Sequence, residues 1–155
     1  MTPRTTDRLL LLALLTALVA APAIAAEPTR ATSSIGGVGI GTTKSQLSHL
    51  GAPTVSRTGD ALDPEWRFTN GLVVFFWSDQ DGVAQVESHA PSVCTDTGVC
   101  PGDSAARLNE LLGSDMAGEY ASDGEHQYPA AYDTCWLDVA VSDGVVQSIA
   151  LACQP

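Results

Sequence analysis

Basic residues are scarce in this chain, with 7 Lys and Arg against 18 Asp and Glu and a formal net charge of −11. An acid excess of that size repels phosphate backbones and anionic lipid, which argues against nucleic-acid partners and steers basic ones inward. Metal-ligand spacing is missing too. His49, His89 and His126 stand in separate segments, and no His-x3-His or Glu-x2-His pair accompanies them. No Ser or Cys sits in a nucleophile-elbow context, and no cofactor is implied. A bilayer span needs about 20 consecutive apolar residues. The run from Leu9 to Val19 is shorter, and Pro22 follows it.

Two segments resemble ligand loops without meeting their requirements. Gly36 to Ser45 has the glycines of a phosphate loop, but Lys44 stands three positions after the last glycine rather than directly behind it. The segment reads as a helix entry. Asp79-Gln80-Asp81-Gly82 lacks the third acidic position and the bidentate Glu of a calcium loop, so it reads as a hairpin turn.

The amino terminus reads as an export signal. Arg4 and Arg8 precede the apolar run, and Ala23-Ile24-Ala25-Ala26 supplies the small residues a signal peptidase requires. Cleavage after Ala25 or Ala26 is expected, giving a signal at 1–26 and a mature chain with neither a membrane span nor a lipid anchor. No cysteine precedes Cys94 to carry lipid. Removing Arg4, Arg8 and Asp7 leaves 5 basic and 17 acidic residues, a net charge of −12. The expected location is periplasmic or secreted. Four cysteines in an exported chain read as two disulfides. Of three possible pairings, local spacing favours Cys94 with Cys100 and Cys135 with Cys153, the latter flanking the Asp143-Gly144 turn.

Two stretches recur at nearly one offset. Gly41 to Leu47 reappears as Gly102 to Leu108, and Asp81 to Val86 reappears as Asp143 to Ser148. The pattern predicts an α+β protein of two tandem repeats, each a short helix followed by a three-stranded antiparallel meander. Residues 27–37 are expected to form a flexible leader, 38–90 the first repeat, 91–101 a linker with a disulfide loop, and 102–155 the second repeat. Thr43 and Gln46 form a capping box for a helix over Lys44 to Leu50. Asp103 or Ser104 caps a second helix that turns Leu108, Leu111 and Leu112 inward and ends at Gly113.

Trp66 and Phe68, the Asn70-Gly71 turn, Leu72 to Trp77 and Val83 to Ser88 predict the first meander. Tyr128, Cys135 to Val141 and Val145 to Cys153 predict the second. Ser114 to Gln127 has no clean period and reads as a loop or weak helix. Leu72 to Trp77 lacks alternation, which predicts cover on both strand faces. Trp136 falls on the strand face opposite Cys135, Leu137 and Val139. With Tyr128, Tyr132 and Trp66 it forms the candidate partner-binding set, although core packing accounts for the same rings equally simply.

The order Gly102-Asp103-Ser104, Leu108, Leu111-Leu112-Gly113 resembles the opening of the SmpA/OmlA (BamE-like) family, and Leu47 to Pro53 looks like the same opening one residue shorter. The paired helix-plus-meander plan, with cysteines in or beside each half, is also similar to the beta-lactamase inhibitory protein architecture. These resemblances imply a noncatalytic protein-binding role with an unidentified protein partner. The sequence therefore predicts an exported binding or cell-envelope-associated protein. An inhibitor of a basic exported enzyme, such as a lysozyme or another hydrolase, is the second reading. A Ser, His and Asp gathered only in space is invisible to sequence, so a small periplasmic hydrolase is the third. Oligomeric state has no sequence signal.

Overall fold

A computed structural model describes residues 31–57 and 59–154. The expected signal peptide and the first residues of the leader lie outside the described residues. The elements run as a 3-10 helix (Lys44–Leu50), β1 (Thr54–Ser56), β2 (Leu62–Arg67), β3 (Leu72–Trp77), β4 (Val83–Ser88), α1 (Ala105–Leu112), β5 (Gly124–Pro129), β6 (Cys135–Ser142) and β7 (Val145–Cys153).

Local chemistry accounts for the helix entries and turns. The Thr43 amide donates to Gln46 Oε1 at 2.8 Å, closing the capping box of the 3-10 helix. Ser104 Oγ accepts the Arg107 amide at 3.1 Å and starts α1. Leu108 and Leu112, one turn apart, then face inward, and Gly113 at φ 74° ends the helix. Between β2 and β3, Gly71 holds φ 90° and Asn70 Oδ1 accepts the Leu72 amide at 3.1 Å.

The sheet corrects the expected architecture. Two repeats with separate three-stranded meanders do not form; all seven strands join one antiparallel sheet in the order β1-β2-β3-β4-β7-β6-β5. The junction is β4 with β7, where Gln85, Val86, Glu87 and Ser88 lie opposite Ala152, Leu151, Ala150 and Ile149. The first half supplies four strands, and its helix is 3-10 rather than α. Each meander alone would leave a strand edge with unpaired amides and carbonyls, and pairing β4 with β7 satisfies both edges at once. The matched sequence segments occupy similar junctions within that sheet. Gly41 N–H donates to Val83 O at 2.8 Å, as Gly102 N–H does to Val146 O at 2.7 Å.

One face of the sheet carries the core. A register row runs Val55, Trp66, Val74, Val86, Leu151, Leu137, Tyr128 from edge to edge. Leu47, Leu108 and Leu112 from the helices pack against it, together with Ile35 and Val38. The helices therefore share one side of the sheet. The expectation that β3 is covered on both faces holds only in part: Leu72, Val74 and Phe76 are buried on the core face and Val73 is buried on the other, while Phe75 and Trp77 beside it are half-buried.

The leader also departs from expectation. From residue 31 onward it is seated rather than free, with Thr32 and Ile35 buried. The Ser33 hydroxyl and amide both donate to Asp96, Gly36 N–H donates to Cys94 O at 2.8 Å, and Tyr132 Oη donates to Ser33 O at 2.9 Å. Polar composition alone suggested mobility, but Thr32 O, Ser33 N–H, Ser34 O and Gly36 N–H find partners in the 94–100 loop or the 130–132 segment, and Ile35 and Val38 pair with each other. Burial pushes the Asp96 carboxyl up, yet the hydrogen bonds from Ser33 and Ser34 prevail and hold it below its ordinary value.

Two disulfides close the ends of this arrangement, Cys94–Cys100 in the loop between the halves and Cys135–Cys153 across β6 and β7. Both cysteine pairs agree with the sequence expectation.

Because Leu137 is fully buried in the core row, Leu137→Ala should lower unfolding stability by about 2–5 kcal/mol. Ala140→Ser, on the opposite face of the same strand, should change it by no more than about 0.5 kcal/mol. Urea titration of the oxidised protein checks both.

Candidate functional site

The second face of the sheet is built by strand alternation. Residues between the core positions form two parallel rows, each continuous across the sheet. The first is Ser56, Glu65, Phe75, Gln85, Ala152, Trp136, Pro129. The second is Thr54, Arg67, Val73, Glu87, Ala150, Asp138, Gln127. Phe75 and Trp136 stand in one row three strands apart, about 14 Å at ordinary strand spacing. Between them β4 places Gln85 and Glu87, and β7 places the small Ala150 and Ala152. The described helices and the seated leader pack on the opposite side.

Charges on this face are mainly acidic and are tied to neighbours. Arg67 is ion-paired with Glu65, and Glu87 Oε1 is in hydrogen-bond contact with His89 Nε2. Asp138 Oδ2 accepts Trp136 Nε1–H at 2.7 Å and its Oδ1 accepts Gln127 Nε2–H at 2.9 Å. These bonds hold the indole and the carboxylate against the sheet. No described basic side chain pairs with Asp138. Beside it a cavity of about 450 Å³ opens between Asp138, Gln127 and Glu125 on the strands and Asp115, Met116 and Ala117 in the loop before β5. At the other end a cavity of about 400 Å³ is lined by Asp60, Ala61, Leu62, Glu65 and Phe75.

The four aromatics chosen from sequence separate. Trp136 is on the uncovered face, half-buried, as its alternation predicts. Tyr128 is not; it is 1% exposed on the core face, and its hydroxyl has no hydrogen-bond partner. Burial, reinforced by the Asp115 charge, pushes that hydroxyl up to about 12. Trp66 also faces the core side, packing edge-on against Phe68 and Phe76 with ring centroids 6.4 and 5.1 Å away. Tyr132 is spent on the leader: a Cβ on Gly39 would lie 2.6 Å from its hydroxyl, so the two elements meet at a glycine. Tyr128 and Trp66 are thus corrected from binding surface to core, because sequence shows which residues alternate but not which face the helices cover. Phe75 and Val73 were missed. Their signal was the odd-numbered set within Leu72 to Trp77, hidden by the apolar run.

The histidines occupy three places. His49 Nδ1 is bonded to Gln46 O at 2.8 Å, and His89 is paired with Glu87. His126, 6% exposed, has its Nδ1 2.8 Å from Asp115 Oδ2, while its Nε2 meets both Ser122 O at 3.0 Å and Ser122 N–H at 3.2 Å. The protonated ring donates to the Ser122 carbonyl, and the neutral ring accepts from the Ser122 amide. Both forms are therefore accommodated in one pose. Asp115 Oδ1 also accepts the amides of Ala117 and Glu119, each at 2.9 Å, and Met116 N–H donates to Gln127 O at 2.7 Å. Asn109 pins the same loop at Ala121 through bonds of 2.7 and 3.3 Å. This pair orders the 113–123 segment, and no described Ser hydroxyl bonds to its ring. Among the described residues, no group of three His, Cys, Asp or Glu side chains is placed to hold a metal ion, and no helix is long and apolar enough to cross a membrane.

Comparison with protein-family models, with curated proteins and with solved structures returned no match.

Burial lowers the His126 value, but the Asp115 and Ser122 bonds outweigh it and raise the ring above its ordinary 6.5. The His126 bond, with those of Glu119 and Ala117, holds Asp115 below its ordinary 3.8 against burial. A raised histidine stabilises the fold fully below its unfolded value and loses that contribution as pH rises through the folded one. A depressed aspartate contributes above its unfolded value and loses it as pH falls through the folded one. The stability advantage of the native protein over His126→Gln should therefore be largest between pH 3.8 and 6.5. It should shrink on either side. Urea unfolding of both proteins across that range measures it, and a pH-independent difference would refute the ionic pairing.

Proposed function

We propose that this chain is an exported, noncatalytic protein-binding protein that uses the uncovered sheet face as its docking surface. The observation that carries the reading is the pair of register rows, in which the apolar Phe75, Val73, Ala150, Ala152, Trp136 and Pro129 form a mixed strip with the polar Gln85, Glu87 and Asp138 and no described helix lies over it. A rigid sheet pre-organises such a strip, so little conformational entropy is lost when a partner settles on it. Half-buried aromatics flanked by polar side chains are the usual composition of an interface centre and its rim.

Export is supported by the charged start, apolar run and small-residue cleavage point at the amino terminus, together with two disulfides. The likeness of residues 102–113 to the SmpA/OmlA opening and the likeness to the beta-lactamase inhibitory protein point toward the same noncatalytic role. The second reading, inhibition of a basic exported enzyme, draws on the acid excess of the whole chain. Both readings use the same face.

Crosslinking the mature oxidised protein in the envelope and secreted fractions of its own cells should capture a specific protein. Phe75→Asp and Trp136→Asp should each weaken that capture by at least about tenfold, as expected for anchor residues worth upward of about 1.4 kcal/mol. Arg107→Ala, on the exposed side of α1, should leave it intact. Equal capture by all variants, or none by the native protein, would exclude the sheet face.

A further inference from the structure

We infer that the β5–β6 end of this face receives an arginine side chain from a basic protein partner, its guanidinium lying over the Trp136 indole and pairing with Asp138. The inference rests on the docking role of the sheet face and specifies the partner's chemistry at one position.

Three observations converge there. The first is charge. Asp138 lies in a register row with Glu87, and Glu125 is two residues along β5 from its register neighbour Gln127. The one described basic side chain in these rows, Arg67, is already held by Glu65 at the far end. The face is thus left with an uncompensated negative end, and a basic partner is the complementary one. The second is pre-organisation. Each oxygen of Asp138 accepts a single side-chain hydrogen bond, from Trp136 at 2.7 Å and Gln127 at 2.9 Å. A carboxylate has about four acceptor positions, so each oxygen retains capacity for one donor of a forked guanidinium. The third is room and surface. The cavity of about 450 Å³ opens beside Asp138, and the Met116 side chain on its wall is 62% exposed.

An arginine uses all three features together. Its planar head stacks on an indole and binds a carboxylate bidentately, and its alkyl stem packs on an apolar wall. Lysine offers a point charge without the fork, so it should bind here more weakly. The indole N–H bond to Asp138 also fixes the ring and the acid in one unit, so that both engage a single side chain.

The test uses the mature, disulfide-bonded protein and three short probes, acetyl-Gly-Arg-Gly-amide and its lysine and citrulline counterparts. Binding is followed by NMR at the Trp136 indole N–H and at the backbone amides of Asp138 and Gln127. The arginine probe should give saturable shifts confined to this end of β5 and β6, with citrulline at least about tenfold weaker because it keeps the shape and loses the charge. Asp138→Asn should abolish the shifts while leaving the Trp66 and Trp77 signals in place, which shows that the fold survives. Trp136→Phe, retaining an aromatic face, should keep part of the response, whereas Trp136→Ala should remove it. Equal shifts with citrulline, or arginine shifts spread evenly over acidic positions such as Glu110 and Asp143, would overturn the assignment. If the probes give no saturable response while Phe75→Asp still weakens capture of the protein partner, the arginine inference fails and the docking face stands.

Discussion

The pairing of β4 with β7 is the contact on which the rest of the molecule depends. Each half of the chain has a meander with an open edge at β4 or β7, and the hydrogen bonds between Gln85–Ser88 and Ile149–Ala152 join those two edges, leaving β1 and β5 at the margins of the sheet. A single sheet results, and with it a single covered face. The row from Val55 to Tyr128 becomes one continuous apolar ridge, and both helices are drawn to the same side because that is where their leucines find cover. Everything on the alternate positions is left on the other side.

That division explains how an acidic, disulfide-pinned protein comes to display aromatic side chains. Phe75 and Trp136 are half-buried by their neighbours in the sheet rather than by an overlying element. Their positions are fixed because the strands that carry them are paired on both sides. Loops complete the frame at the two ends: the leader is held by Asp96 and Tyr132, and the 113–123 segment is held by Asn109, Asp115 and His126. In the second case a buried histidine orders backbone that composition alone would leave loose. The same hydrogen bonds place Met116 and Asp115 beside Asp138, so loop order and face geometry are linked through one side chain.

Much of this was legible locally. Capping residues marked both helix starts, Asn70-Gly71 marked a hairpin, and the position of Cys135 and Cys153 around a turn gave a pairing that the register repeats. Trp136 was legible as a residue opposite Leu137 because alternation is a local property. Tyr128, Trp66 and Phe75 were not, for one reason: their role depends on which side the helices land. Nothing in a strand's own residues states what lies beside it or above it when the run is apolar throughout, as in Leu72 to Trp77.

By itself, the amino-acid order determined the strands β3, β4, β6 and β7, the turn chemistry, the helix caps, the cysteine pairing and the acid excess, since each arises from neighbours close along the chain or from composition. β1 had no local signal, and the start of β5, which pairs with β6, lies in the Ser114 to Gln127 stretch that reads locally as a loop or weak helix. Tertiary structure alone decided that four strands and three would fuse into one sheet, that the leader would be seated, and that Phe75 would share a surface with Trp136. Those outcomes follow from satisfying strand edges and apolar faces far apart in the chain. Such satisfaction is a property of the assembled whole, because hydrogen-bond partners and cover are supplied by whichever distant segment arrives.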